Sequence, residues 1–305
     1  MTKFSSRCVL AILTFAVLTV IQVFYLKSQN YFAELDLAER GEKENRTKKL
    51  PSVLIIGVRK GGTRALLDGI ALHPKIRIVR HETHFFDQNY TNGIDWYQDQ
   101  MPLADEDEIV VEKTPAYFTS SKAPYRVKEF DKNMKIVLIV RHPTYRVVSD
   151  YTQVFYNKLE QNKALPDLEK EAFRILDGRQ VLEESYKPIR NSLYDIHMAN
   201  WLKYFPLENF LILNGDVFRG NPYSELRKLE KFLGLKHSIT HEQLVFDKRK
   251  KFFCFKKVNK VRCLGESKGR KHRPVKSDVF QNITRLLAPH NERFFELINR
   301  SFLWD

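Results

Sequence analysis

The sequence has no internal repeat and no low-complexity tract. Repeat architectures are thereby excluded, and about 250 residues remain for one domain with a sizeable core. Acidic residues are in the minority. The 37 Asp and Glu against 51 Lys and Arg give a formal charge of +14, which points to a polyanionic partner: nucleic acid, acidic lipid and sulfated glycan all qualify on charge alone. Cysteine is scarce, with three residues. Cys8 lies in an apolar segment, so Cys254 and Cys263 remain, either as a disulfide or as two free thiols. The zinc signature H-E-x-x-H is also missing, because His81-Glu82-Thr83-His84 is one residue too short to set two imidazoles a helical turn apart. No metal is expected.

One long apolar run is present, Cys8 to Leu26. About 19 residues rising 1.5 Å each reach roughly 28 Å, close to the hydrocarbon thickness of a bilayer. Lys3 and Arg7 precede it and only Lys27 closely follows. Residues 1–7 are therefore expected in the cytosol, 8–26 as an uncleaved signal anchor of a single-pass type II protein, and the remainder in a lumen. A cleaved signal peptide is the alternative, but its shorter apolar core and small-residue cleavage site are not found. Residues 27–51 are polar and mixed in charge, as in a stem, and Pro51 marks the start of a domain at 52–305. A lumenal course removes nucleic acid as a partner, suits a Cys254–Cys263 bridge, and gives meaning to the N-x-S/T sequons at Asn45, Asn89, Asn282 and Asn299.

Val53 to Ile56 and Ile136 to Val140 are continuous apolar runs of the kind buried on both faces of a parallel sheet. Shorter strands are expected at Ile76–Val79, Ile109–Val111 and Phe210–Leu213. Helices are expected at Thr63–Leu72, Thr144–Asn157, Leu168–Leu176, Ser192–Phe205, Glu225–Leu233 and Asp278–Arg300. The alternation predicts an α/β fold, a central parallel sheet flanked by helices.

Between the first strand and first helix lies a basic glycine turn, Gly57 to Arg64. Gly57, Gly61 and Gly62 let the main chain wrap an anion at the helix N-terminus, and Arg59, Lys60, Thr63 and Arg64 add side-chain donors. Gly57 and Gly62 have the separation of a nucleoside triphosphatase loop, but Thr63-Arg64 stand where Lys-Ser/Thr belongs, and the strand Ile136–Val140 ends in Arg141 instead of an aspartate for magnesium. A metal-free phosphate site fits better than an ordinary turn or a kinase loop. Glu82, set among Arg80, His81 and His84, is a carboxylate that neighbouring cations would keep ionised and able to accept a proton, unless it only decorates a loop. Arg141, at a strand end beside a helix start, is placed to fork onto a phosphate. Phe85 and Phe86 read as core; Trp96 and Tyr97 read as core or as a platform for a sugar ring. From Asp247 to His272, lysines and arginines alternate with aromatics, which suits either a bound polyanion or a solvated basic loop.

GVRKGGTRAL resembles the 5′-phosphosulfate loop of sulfotransferases that use 3′-phosphoadenosine 5′-phosphosulfate (PAPS), in the form carried by heparan sulfate glucosamine 3-O-sulfotransferases. HFFD (His84–Asp87), VEKTPAYF (Val111–Phe118), RHPTYRVVSDYTQVFYN (Arg141–Asn157) and SKGRKH (Ser267–His272) follow in order, so that the resemblance covers nearly all of 52–305. QVFYN is most like the isoform 1 type. The resemblance implies a P-loop-like sulfotransferase fold, PAPS as donor with PAP as product, no metal, heparan sulfate as substrate, and a Golgi membrane location. It implies that Arg59, Lys60, Gly61, Gly62, Thr63 and Arg64 hold the 5′ side of the donor and that Arg141 and Ser149 hold its 3′-phosphate. Lys268, Gly269 and Arg270 would close over the nucleotide with Lys271 and His272 beside them. Glu82 matches the general base, with His84 and Asp87 in the same cleft, Lys60 and Lys113 against the sulfuryl group, and Arg64, Lys113, Gln153 and Tyr156 toward the glycan. His142 departs from the acidic or amide residue expected there, which puts one local hydrogen bond in question. The rival readings are a sulfotransferase for another glycan or for tyrosine, and a non-catalytic heparin-binding membrane protein.

Overall fold

The computed structural model describes Gln22 and residues 46–258, 260–265, 269 and 271–304. The expected anchor, apart from Gln22, lies outside these, as do most of the stem, Asn45, Lys268 and Arg270. Among the described residues no helix is long and apolar enough to cross a membrane. The chain divides into units of residues 1–47 and 48–305, and every element named below belongs to the second.

The chain runs through β1 (Val53–Gly57), α1 (Thr63–Ile70), β2 (Ile76–Ile78), β3 (Ile109–Lys113), β4 (Lys135–Val140), α2 (Pro143–Glu160), β5 (Phe173–Leu176), β6 (Arg179–Leu182), α3 (Tyr194–Leu202), β7 (Phe210–Asn214), α4 (Pro222–Leu233), β8 (Leu244–Asp247), β9 (Phe252–Lys257), β10 (Lys260–Arg262) and α5 (Ser277–Leu297). Five strands form the central sheet in the order β2-β3-β1-β4-β7. All four pairings are parallel, as expected from the apolar runs.

Alternation along β1 explains why those runs are continuous. Leu54 and Ile56 enter one core with Phe86, Tyr117, Trp201 and Phe294, while Val53 and Ile55 enter another with Leu66, Ile70, Leu226 and Leu229. Both faces of the strand are dry, so no polar residue is tolerated on either. Helix α2 lays Val147, Tyr151 and Phe155 against Ile283 and Leu287 of α5 in a third cluster. Phe85 and Phe86 are buried core residues. Tyr97 is buried too and stacks on Phe85 with centroids 4.2 Å apart, and Trp96 packs partly buried on the same cluster, so both are core.

One expected helix is corrected. Leu168–Glu171 is a single helical turn, after which Phe173–Leu176 pairs antiparallel with Arg179–Leu182. The reason is Asp177-Gly178, where φ is +49° and +74°. Two successive left-handed residues make the tight turn whose twist matches a hairpin, and Asp-Gly is a strong sequence signal for it. The basic run beyond Asp247 is also more ordered than a loop: β8, β9 and β10 form an antiparallel sheet, and a disulfide joins Cys254 of β9 to Cys263 just after β10.

Candidate active site

The turn after β1 is pressed against the end of β4. Val58 N donates to Ile139 O at 3.0 Å and Gly61 N to Val58 O at 2.8 Å. A Cβ on Gly61 would fall 2.5 Å from Ile139 O and 2.9 Å from Val58 O, so only glycine fits. Lys60 at φ +69° and Gly62 at φ +112° then turn the chain into α1. The first N–H groups of a helix have no partner within it, and its dipole is positive at that end. The strand order reverses between β1 and β4, and ligands of parallel sheets bind outside the carboxyl ends of the strands at such a switch point.

A buried ionic network holds the turn. Arg59 Nε donates to Asp150 Oδ1 at 2.9 Å, and Arg146 Nη1 donates to Asp150 Oδ2 at 2.9 Å and to Arg59 O at 3.3 Å. Arg146 is fully buried and also donates to Ser192 Oγ at 2.6 Å and to Pro188 O. Asn191 Nδ2 adds a third donor to Asp150 at 3.2 Å. Burial pushes the Asp150 carboxyl up, but Arg146 and Arg59 outweigh it and hold the pKa down at about 2.

On the neighbouring strand, β4 delivers Arg141 to the same end of the sheet. Its Nε is buried without a hydrogen-bond partner among the described residues, and the nearest carboxylate oxygen, Asp216 Oδ1, is 3.7 Å away. Burial lowers its pKa, more than Asp216 raises it. A buried guanidinium with an unused donor is chemically suited to an anion. His272 belongs to the same region: burial, then the positive charges of Arg141, Lys60 and Arg219, lower its pKa. Ser149 is buried on α2. His142 replaces the expected side-chain hydrogen bond with one of its own, Nδ1 accepting from Thr144 N at 3.2 Å to cap α2. These groups fit a ligand with two separate phosphate-like ends, the glycine turn taking one and Arg141 the other.

The glycine turn opens into a cleft of about 930 Å³ lined by Arg59, Lys60, Thr63, Arg64, Glu82, His84, Asp87, Lys113 and Gln153. Lys113, at the end of β3 and almost wholly buried, donates Nζ to Glu82 Oε1 at 2.5 Å. His84 Nε2 is 3.6 Å from Glu82 Oε2, and His84 Nδ1 is 3.0 Å from Asp87 Oδ2. His84 is itself left-handed, at φ +51°, an uncommon conformation that the surroundings must hold in place. They do so from below: His84 N meets Thr114 Oγ1 at 3.5 Å, Phe85 N donates to Tyr117 OH at 2.9 Å, and Thr83 Oγ1 is 3.1 Å from the same hydroxyl. Under this shelf Thr114 Oγ1 donates to Glu112 Oε1 at 2.5 Å, and burial raises the Glu112 pKa to about 7. Arg64 is braced by Asp68 Oδ2 at 3.0 Å and Arg80 O at 2.8 Å.

The structure thus gathers nine of the expected residues around one cleft. Gly61 and Gly62 form the turn itself. Gly269 is left-handed at φ +69°, and a Cβ there would meet Phe252 Cε1 at 2.6 Å. Lys271 is exposed, and Tyr156 is half-buried against the α2–α5 cluster. Gln153 donates to Asn157 Oδ1 at 2.6 Å. Of the sequons, Asn89 commits its amide to Thr83 O at 2.7 Å, which disfavours modification, Asn282 donates to Gln180, and Asn299 is exposed. Arg80, read as a cation beside Glu82, and Arg262, part of the basic run, both line the cleft; reasoning from the sequence missed Asn157, Lys187 and Arg190, which line it too, as well as Arg219, Glu112 and the Arg146–Asp150 pair. An excess of basic residues was the only available signal for the cleft cations.

The family described as "Sulfotransferase domain" matches residues 50–293. Heparan sulfate glucosamine 3-O-sulfotransferase 5 of Homo sapiens is 40% identical over 260 residues, covering 84% of this chain and 75% of that protein. Heparan sulfate glucosamine 3-O-sulfotransferase 3A1 of Mus musculus is 39% identical over 262 residues, covering 85% of this chain; the chain spans 65% of that relative's length. Among solved structures, a sulfotransferase from Alicyclobacillus acidocaldarius superposes with a TM-score of 0.60 at 18% identity, covering 83% of this chain and 98% of that one.

Proposed function

The chain belongs to the sulfotransferase-domain family, and within it to the heparan sulfate glucosamine 3-O-sulfotransferases; from that premise we propose that it transfers a sulfuryl group from PAPS to the 3-hydroxyl of glucosamine units in heparan sulfate. The observation that carries the reading is the Glu82–Lys113 pair, 2.5 Å apart, opening into the same cleft as the glycine turn.

PAPS, when bound, supplies an activated sulfuryl group whose leaving group is the phosphate oxygen of PAP. The N–H groups opening α1, with Lys60 and Thr63, hold its phosphosulfate end; Arg141, Ser149 and His272 hold the 3′-phosphate. Glu82 takes the proton of the attacking 3-hydroxyl as the new O–S bond forms and the bond from sulfur to the PAP oxygen breaks, a role typically worth about 10²- to 10⁴-fold. Lys113 holds Glu82 in place through its Nζ–Oε1 bond and, with Lys60, offsets the charge gathering on the transferring and leaving oxygens. A sulfuryl group carries less negative charge than a phosphoryl group, so two fixed lysines serve without a metal. Arg64, Gln153 and the basic cleft wall would receive the sulfates and carboxylates of the glycan. The apolar run at 8–26 further supports a Golgi membrane protein with this domain in the lumen.

Incubation with sulfur-labelled PAPS and heparan sulfate, followed by disaccharide mapping, tests the proposal. Label on the glucosamine 3-position is expected; label only at other positions, or only on a tyrosine peptide, overturns it.

A further inference from the structure

A second hollow of about 280 Å³ adjoins the cleft and shares Asp68, Arg80 and Arg262 with it. Its floor is apolar, formed by Leu72, Ile76, Ile78, Pro102 and Phe255. Lys257 stands at its rim on β9, held by a bond from its Nζ to Ala71 O at 3.1 Å. Arg77 also lines it, but its charge is met by Glu108. Arg80, Lys257 and Arg262 are exposed and have no carboxylate partner among the described residues. An apolar floor ringed by unpaired cations matches a pyranose ring, whose C–H face packs on hydrocarbon while sulfate or carboxylate groups at its edge meet lysine and arginine. Nothing in the sulfuryl-transfer step uses these groups.

We propose that this hollow is an extension subsite, taking a further anionic saccharide of the same chain beyond the unit that accepts sulfate. The proposal rests on the heparan sulfate reading above. The glycan would pass from the cleft over Arg80 and Arg262 and settle its next charged unit against Lys257. Binding there adds affinity for longer chains without touching the reacting atoms, so it acts on KM and leaves kcat unchanged.

The test compares a defined heparan hexasaccharide with a dodecasaccharide of the same repeating composition, using the full chain and Lys257→Glu and Lys257→Arg variants. The wild type should prefer the dodecasaccharide, with lower KM and equal kcat. Lys257→Glu should lose about three- to tenfold of that preference through KM and show a shallower dependence on salt, as expected for one lost charge contact to a polyanion, while Lys257→Arg retains both. Hexasaccharide kinetics should be unaltered in every variant. An equal KM for both lengths in the wild type, or an unchanged length preference in Lys257→Glu, overturns the subsite while leaving the proposed reaction intact. Failure of the wild type to sulfate either length instead removes the reaction, and the subsite with it.

Discussion

Replacing Asp150 by asparagine removes the centre of the network that steadies the glycine turn. Asp150 is fully buried and receives Arg146, Arg59 and Asn191 at 2.9, 2.9 and 3.2 Å. Burial opposes its charge, yet the two guanidiniums bring the pKa from 3.8 to about 2, a net preference of the fold for the charged form on the order of 2–3 kcal/mol. Asparagine forfeits that preference and leaves Arg146 buried without a carboxylate, so the full cost should be about 3–5 kcal/mol. At about 2–4 °C per kcal/mol for a domain of this size, Tm should fall by roughly 6–20 °C. Because the folded pKa is depressed, the stabilisation is complete above pH 3.8 and fades as pH falls toward 2. The gap between wild type and variant should therefore be full at pH 7 and shrink by pH 2.5. Arg59 also loses its partner, so PAP binding measured by calorimetry should weaken about tenfold, as for the loss of one charge-assisted contact. A variant that melts within 1 °C of wild type and binds PAP equally well would refute the idea that these ions organise the turn.

Glu82→Gln should bind PAP as the wild type does while kcat falls about 10²- to 10⁴-fold; near-normal turnover in the transfer assay removes Glu82 as the base. Gly61→Ala must displace Ile139 O or Val58 O, 2.5 and 2.9 Å from the new methyl, and should weaken PAP binding at least tenfold by calorimetry; unaltered affinity means that the turn does not hold the donor. Glu112, raised to about 7 by burial, keeps a proton in the fold that the unfolded chain releases above about 4.5, so stability is full below pH 4.5 and declines by about 3 kcal/mol as pH rises through 7. Glu112→Gln should flatten that slope in urea titrations between pH 5 and 8. Replacing Cys254 and Cys263 together by serine should cost about 2.5–3 kcal/mol in the same titration, and an unchanged midpoint would argue against the bridge as a stabilising element.

The central sheet could be read from the sequence because burial on both faces leaves no polar interruption in Val53–Ile56 or Ile136–Val140. The glycine turn could be read because its chemistry is local: Gly61, Gly62 and the residues around them act on one ligand from one stretch of chain. What escaped was set by tertiary approach. Arg146 and Asp150 look like an ordinary i,i+4 surface pair on a helix, and only the packing of α2 against residues 188–192 and the turn makes them a buried relay. Glu112 sits one residue from the conspicuous Lys113, on the opposite side of an alternating strand, so its burial could not be judged without the sheet. The β5–β6 hairpin is a different case: Asp177-Gly178 is a local signal for it, but the apolar residues preceding that turn also repeat at helical spacing, so two local patterns compete over the same stretch.

The end of β10 and the residues just past it, Arg262 through Gly265, form one lip of the cleft, and the covalent tie from Cys263 back to β9 fixes that lip to the body of the domain. With both sulfurs reduced, it would hang on the short ladder Phe255–Arg262, Lys256–Val261 and Lys257–Lys260, at the open margin of a small sheet. How firmly the entrance keeps its shape is then governed by the thiol chemistry of the compartment, at a distance from every atom that reacts.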